Sequence, residues 1–306
     1  MLYIKNIEEG LPVFKALSSE LRIQIVKILL ENSDMSMREI AQRLNITNGA
    51  LTSHIKLLEE GGIVRVLSAS EVSGHGNQKV CRINLNRILI DVNVDEAKEN
   101  NKFYEIDIPI GQYADYEIHP SCGISTEKNI IGEVDDTRYF AHPERSNAKI
   151  IWFAQGYVEY IIPNLTPALS QIDQITLSME IASEAPSVNN DWPSDISFLL
   201  NDELIGTWTS PGDYGDVRGI FTPDWWLSNW NQYGLLKILV INKQGTFIDG
   251  MKISDLKITH FDFDNKSMIK FKFMVREDAK NMGGFTLFGR DFGNYNQDLK
   301  VKISYS

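Results

Sequence analysis

The stretch Leu44-Asn45-Ile46-Thr47-Asn48-Gly49-Ala50-Leu51-Thr52-Ser53-His54-Ile55-Lys56-Leu57-Leu58-Glu59-Glu60-Gly61-Gly62-Ile63-Val64 decides how the first part of the chain is read. Asn45-Ile46 makes a tight turn, and Thr47 is an N-cap whose side-chain oxygen suits a free amide of the next turn. Leu51, Ile55 and Leu58 recur at i, i+4 and i+7, so the spacing predicts a helix over 48–60 with one apolar stripe. Gly61-Gly62 stops it, because glycine takes the left-handed conformation past a helix end without a side-chain clash. Off the stripe lie Thr47, Asn48, Gly49, Thr52, Ser53 and Lys56, which are short near the N-terminus and polar where they are longer.

The neighbours of this stretch are consistent with it. Ser36-Met37-Arg38-Glu39 is a capping box that opens a short helix with Ile40, Ala41 and Leu44 inward. Before it, Leu11–Leu17 reads as a first helix and Glu20–Glu31 as a second, with Ser18-Ser19 as the cap between them. Leu21, Ile25, Ile28 and Leu29 form the apolar face of the second helix, and Arg22 and Lys27 lie off it. Asn32-Ser33-Asp34 ends it. After the quoted stretch, strands over 63–67 and 79–85 flank the polar tip Ser73-Gly74-His75-Gly76-Asn77-Gln78. Two helices, a turn, a third helix and a hairpin is the element order of a winged helix-turn-helix. In that arrangement a small, polar helix N-terminus enters a major groove, and the helix end itself favours a phosphate. The candidate DNA contacts are Arg38, Thr47, Asn48, Gly49, Thr52, Ser53, His54 and Lys56, with His75, Asn77 and Lys79 in the wing. A polar helix face taken alone is most often simply solvated. Here the turn, the capped helix and the glycine-tipped hairpin all agree. His54 has two readings: a DNA contact, or a tether between this helix and its own domain.

The quoted stretch resembles the recognition segment of the ArsR-type winged helix repressors, and Phe14-Lys15-Ala16-Leu17-Ser18-Ser19-Glu20-Leu21-Arg22 is similar to their characteristic start. The resemblance covers about the first 90 residues. It implies a symmetric homodimer on a palindromic operator, acting as a repressor released by an effector. Many members hold metal through cysteines in the helix before the turn. Here that helix reads Ser36-Met37-Arg38-Glu39-Ile40-Ala41, and Asn86–Val94 offers no second ligand set, so no metal or other cofactor is expected. Ser53 stands where the family often has Arg or Gln, so the operator sequence does not carry over.

Composition bounds the rest. The 306 residues carry a net charge of −11, with 43% hydrophobic and 23% charged residues, ordinary values for a globular chain long enough for two domains. The acidity is local: residues 1–90 hold 11 Lys+Arg against 9 Asp+Glu, and the remainder holds 19 against 32. A mildly basic reader domain with an acidic body is compatible with DNA binding, since phosphate contacts are local. No apolar run approaches the ~20 residues of a membrane span, and the first nine residues are too acidic for a signal peptide. A cytoplasmic protein is expected. The two cysteines, Cys81 and Cys122, read as reduced thiols.

After the polar, acidic segment 93–102, read as a linker, the texture becomes β. Strands are predicted at 103–108, 149–153, 157–162, 174–182, 195–200, 203–209, 235–242, 251–261, 268–275, 285–288 and 299–305, with 109–147 irregular. The fold class is therefore α+β in two domains: a winged helix-turn-helix over 1–92, then an all-β, jelly-roll-like sandwich over 103–306. Five of the six tryptophans fall between 192 and 230, beside a loop rich in Gly and Asp. Trp192, Trp208, Trp225, Trp226 and Trp230, with Asp213, Asp216 and Arg218, are candidate ligand residues. Flat rings stack on sugar CH groups, and carboxylates and guanidinium groups bond hydroxyls. The sandwich texture looks like that of carbohydrate-binding jelly rolls. The same tryptophans are also explained as core filling or as a protein interface. Asp135, Asp136, His142 and Glu144 have no spacing that supports a metal or acid–base site, and no catalytic motif is found, so an enzyme is not expected.

The leading functional reading is a dimeric transcriptional repressor whose sandwich senses a small effector, with a sugar as the first candidate. The alternative is a carbohydrate-binding or enzymatic sandwich whose winged helix binds protein. A third reading makes the sandwich a dimerisation body only.

Overall fold

The first helix, α1 (Leu11–Leu17), ends where Arg22 reaches back to it from α2 (Glu20–Glu31). Arg22 is only 9% exposed, and its Nε donates to the Ala16 carbonyl at 2.6 Å while Nη2 donates to the Lys15 carbonyl at 2.7 Å. This corrects the sequence reading, which put Arg22 off the buried face. The inward residues of α2 are Arg22, Ile25 and Leu29. A long aliphatic stem is buried, and its fork satisfies carbonyls that α1 leaves open. Ser18-Ser19 does not cap α2 through a side chain: the Ser18 hydroxyl donates to Lys15, and Ser19 makes no cap bond.

The computed structural model describes residues 2–4, 7–32, 34–67, 79–84, 88–90, 102–264 and 266–306. The described chain divides into two compact units, 1–98 and 99–306. In the first, a short strand (Met35–Ser36) precedes α3 (Met37–Arg43). The capping box is present in full, with Glu39 Oε2 accepting from the Ser36 amide and the Ser36 Oγ accepting from the Glu39 amide. Asn45, in the left-handed region at φ 53°, turns the chain into α4 (Asn48–Glu60). The strands Val64–Leu67 and Val80–Ile83 pair antiparallel, and Met35–Ser36 adds a third strand that the sequence reading missed. Leu2–Ile4 and Ile88–Ile90 form a separate parallel pair, also missed. The free thiol of Cys81 is buried among these elements, and burial pushes its pKa up to about 11.

The second unit is a two-leaved antiparallel sandwich. In one leaf the order is 115–125, 150–163, 268–275, 194–200, 203–210; in the other it is 102–108, 299–305, 172–182, 235–242, 245–248, 251–254. The short strand Phe285–Phe288 joins them, pairing with Ile150–Phe153 on one side and with Glu180–Ala182 on the other. The inward faces meet in one large core. Phe198, Phe271, Phe273 and Tyr160 of one leaf face Ile175, Leu177, Leu239 and Val301 of the other.

Several predicted strands differ in extent. The segments 149–153 and 157–162 are one strand, Ile150–Pro163, because Gly156 at φ 110° lets the Glu117 carbonyl come where a Cβ would stand. The segment 251–261 stops at Ser254 and continues as a short 3₁₀ turn, Ile258–His260. The region 109–147 is not wholly irregular: it contains the 11-residue strand Asp115–Ser125. Among the described strands it pairs with Ile150–Pro163 alone, beside a one-residue bridge from Ser125 to Ile130, and such an edge position tolerates Pro120 and the polar residues that hid it.

Candidate nucleic-acid interface and the aromatic loop

Helix α4 is placed by its buried row. Leu51, Ile55 and Leu58 are inward, and Gly61 lies against Ala16 of α1, where a Cβ would clash. The opposite side is free. Thr47, Asn48, Gly49, Ala50, Thr52, Ser53 and Lys56 are all exposed, and His54 is half-buried. Thr47 spends its Oγ1 on the Ala50 amide at 3.2 Å, as an N-cap does. Thr52 Oγ1 donates to the Asn48 carbonyl and Ser53 Oγ to the Ala50 carbonyl, both at 2.8 Å. Lys56 is held only loosely, 3.8 Å from Glu60 on the solvent side. Arg38 is exposed at the first turn of α3, and Lys79 is exposed just before the second hairpin strand. His75 and Asn77 lie outside the described residues. Arg82 forks onto Asp34 with two contacts of 2.7 Å, which ties the hairpin to the turn after α2 rather than offering a cation outward.

In the sandwich, the structure separates the candidate ligand residues. Ile151 and Phe153 point into the main core. Their neighbours Ile150 and Trp152 point to the other face, where the 211–234 loop packs on them. Trp226 is the centre of that second core. It is 1% exposed, and its ring lies edge-on to Trp230 at 4.8 Å, Phe292 at 4.9 Å and Trp152 at 5.7 Å. It has no face left for a ligand, and Trp230 is half-buried beside it. Trp208 is packed against the main core, with Lys237 Nζ 4.6 Å from its ring centre. Asp213 is 1% exposed and accepts from the Ala185 amide. Asp216 is exposed but accepts from Tyr233 Oη at 2.6 Å, and Arg218 donates to the Pro223 and Asp224 carbonyls. Trp226, Trp208 and Asp213 are therefore framework rather than ligand contacts.

What remains open is Trp225, 39% exposed, and Trp192, 36% exposed, each with its indole N–H anchored on a carbonyl, that of Glu127 and that of Glu184. Beside Trp225 in the chain stand Val217, Ile220, Phe221 and Leu227, all substantially exposed, which the sequence reading passed over. Their signal was available: five large apolar residues in a turn-rich segment that has no strand pattern to bury them.

Beneath the loop lie three carboxyls. Glu180, fully buried, accepts from the Gly234, Asn294 and Tyr295 amides, yet burial pushes its pKa up to about 8. Asp213 is pushed up to about 7 by burial. Glu184 is held well above the ordinary carboxyl range by burial and by the facing charge of Asp213. Among the described residues, no group of three or more His, Cys, Asp or Glu is placed to hold a metal ion. Asp136 pairs with Arg138, Asp135 accepts from the Cys122 amide, and His142 Nδ1 accepts from the Glu144 amide, so these loop residues serve local structure. No described helix is long and apolar enough to cross a membrane.

Comparison with known proteins bears mainly on the first unit. Transcriptional activator HlyU of Vibrio cholerae serotype O1 is 35% identical over 60 residues, 20% of this chain. The chain spans 55% of the length of that curated relative. A solved structure of HlyU from Vibrio cholerae N16961 aligns with 25% of this chain and 75% of its own, at 25% identity and a TM-score of 0.21. The CBM36-1 domain of a multidomain xylanase from the hindgut metagenome of Trinervitermes trinervoides aligns with 66% of this chain and 96% of its own, at 8% identity and a TM-score of 0.28. A carbohydrate-binding module CBM36 in complex with calcium and xylotriose gives 66%, 99%, 8% and 0.27 in the same terms. Residues 18–65, from the end of α1 through α4 to the first hairpin strand, match the family described as winged helix-turn-helix DNA-binding, and the N-terminal unit is a winged helix-turn-helix of that description.

Proposed function

We propose that this protein is a DNA-binding transcriptional regulator of the ArsR type. It acts in the cytoplasm as a homodimer, with α4 in the major groove of a palindromic operator. The observation that carries this is the two-sided character of α4. Leu51, Ile55 and Leu58 lock it to its unit, while everything from Thr47 to Lys56 on the other side is small or polar and exposed. The family match over 18–65 and the relative named a transcriptional activator support the same reading. Dimerisation is supported by Leu11 and Phe14, which stay exposed on α1 with Ile7 just before it, apolar side chains that a two-fold partner would cover. Repression is the sign that the resemblance to the ArsR type carries.

The sandwich, in this reading, is a sensor and not an enzyme. A small ligand, with a carbohydrate as first candidate, docks on the open rings of Trp225 and Trp192. It changes DNA affinity only if it binds the DNA-competent and DNA-incompetent states unequally. The test is fluorescence anisotropy with duplex DNA from upstream of the protein's own coding sequence. Salt-sensitive binding that is lost in the combined Thr52→Ala, Ser53→Ala, Lys56→Ala variant is expected. Binding that is absent, or unchanged in that variant, would sink the proposal. A reporter under the same upstream DNA separates repression from activation.

A further inference from the structure

A phosphate oxygen only accepts hydrogen bonds, so a recognition helix needs donors to hold one. Most of the polar side chains in the middle of α4 do not offer any. The hydroxyl protons of Thr52 and Ser53 are already given to the carbonyls of Asn48 and Ala50, at 2.8 Å each, which leaves only lone pairs facing outward. Thr47 Oγ1 accepts from the Ala50 amide and keeps its own proton, but it stands at the cap, before the first helical residue. Between the helix start and its last turn, the donors left are Lys56 and His54.

His54 is set up as a donor by what surrounds its ring. Its Nδ1 is buried and meets no hydrogen-bond partner among the described residues. A neutral imidazole carries one N–H and one lone pair. An N–H buried without an acceptor is the rarer and costlier orphan. The proton therefore belongs on Nε2, the ring atom that is not among the buried, unpartnered ones. One helical turn earlier on the same side stands Ala50, which is exposed and too small to obstruct an approaching group. The tether reading of His54 loses its support, because the inward nitrogen ties the helix to nothing.

We propose that His54 donates its Nε2–H to a backbone phosphate on the flank of the DNA-contacting face, while the Thr52 and Ser53 hydroxyls serve as acceptors. This rests on the DNA-binding reading above.

The experiment titrates a short duplex of arbitrary sequence at low salt, since phosphate contacts do not depend on sequence. His54→Leu, which fills the half-buried ring site, is expected to weaken binding roughly tenfold, the weight of one hydrogen bond to a charged group. The slope of log Kd against log salt is read on the same samples. Lys56→Met is expected to lower that slope by about 0.9. His54→Gln places an amide N–H near the former Nε2 and is expected to restore most of the affinity. Circular dichroism on the same samples shows whether the helices are kept. Wild-type affinity in His54→Leu, or no recovery in His54→Gln with helices intact, would each overturn the inference while leaving the DNA-binding reading standing. Failure of the wild-type chain to bind the duplex would instead overturn that reading.

Discussion

Arg22 and Trp226 show how one side chain sets a local structure. Arg22 satisfies the Lys15 and Ala16 carbonyls from inside the N-terminal unit. Arg22→Leu keeps the apolar contact but orphans those carbonyls, and an expected loss of about 1–3 kcal/mol follows, measured by urea unfolding of the helical signal. Trp226→Ala removes the hub of four ring contacts and is expected to cost about 3–5 kcal/mol, lowering the melting temperature of the β unit. Trp225→Ala, one residue away, removes one of those four contacts and a ring already 39% exposed, and is expected to cost about 1–2 kcal/mol, clearly less than Trp226→Ala. If a sugar raises the melting temperature of the parent, Trp225→Ala is expected to abolish that shift. Equal destabilisation by the two variants would refute this division between framework and open ring.

At the scale of an element, α4 has a buried face and an exposed polar face, and the proposed function assigns them separate roles. Ile55→Ala is expected to cost about 2–5 kcal/mol because Ile55 is fully inward, and it weakens DNA binding only through the loss of fold. Thr52→Ala and Ser53→Ala act in the opposite way. Both hydroxyls are exposed and satisfied by the helix backbone, so melting is expected to stay put while DNA affinity falls. Parallel thermal melts and anisotropy titrations on the three variants check the split, and a DNA defect that tracked stability in all three would contradict it.

For the molecule as a whole, the buried carboxyls give a pH signature. Glu180 at about 8 and Asp213 at about 7 lie above their unfolded values near 4.5 and 3.8. Between those limits the folded unit holds protons that the unfolded chain has released, so stability falls as pH rises. The contribution is fully present below about pH 4 and is lost by about pH 8. The β unit is expected to melt at a higher temperature at pH 5.5 than at pH 8, and Asp213→Asn, which cannot ionise, is expected to flatten part of that slope. A melting temperature that rises with pH over this range would show the acids to be ionised in the fold.

The N-terminal unit was legible in the sequence because its information is local. Helical period, the Ser36–Glu39 capping box, the Thr47 cap and the Gly61-Gly62 stop all act within a few residues, and the four helices lie where those signals put them. Most strands of the sandwich were legible from alternation and turns. Their pairing was not, because neighbours such as Phe285–Phe288 and Ile150–Phe153 are far apart in sequence. Arg22 was misplaced because a period counts an arginine as polar, whereas its burial depends on carbonyls one helix away. The tryptophan-rich loop is the clearest divide. Composition gathers five tryptophans into one short region, but whether a ring is core or surface depends on what packs over it. Only the tertiary structure, by laying that loop on Trp152 and Phe292, buried Trp226 and left Trp225 open. The exposed polar face of α4 was written in the order of its residues. Which of its polar atoms still have a proton to give was decided by the folded chain around them.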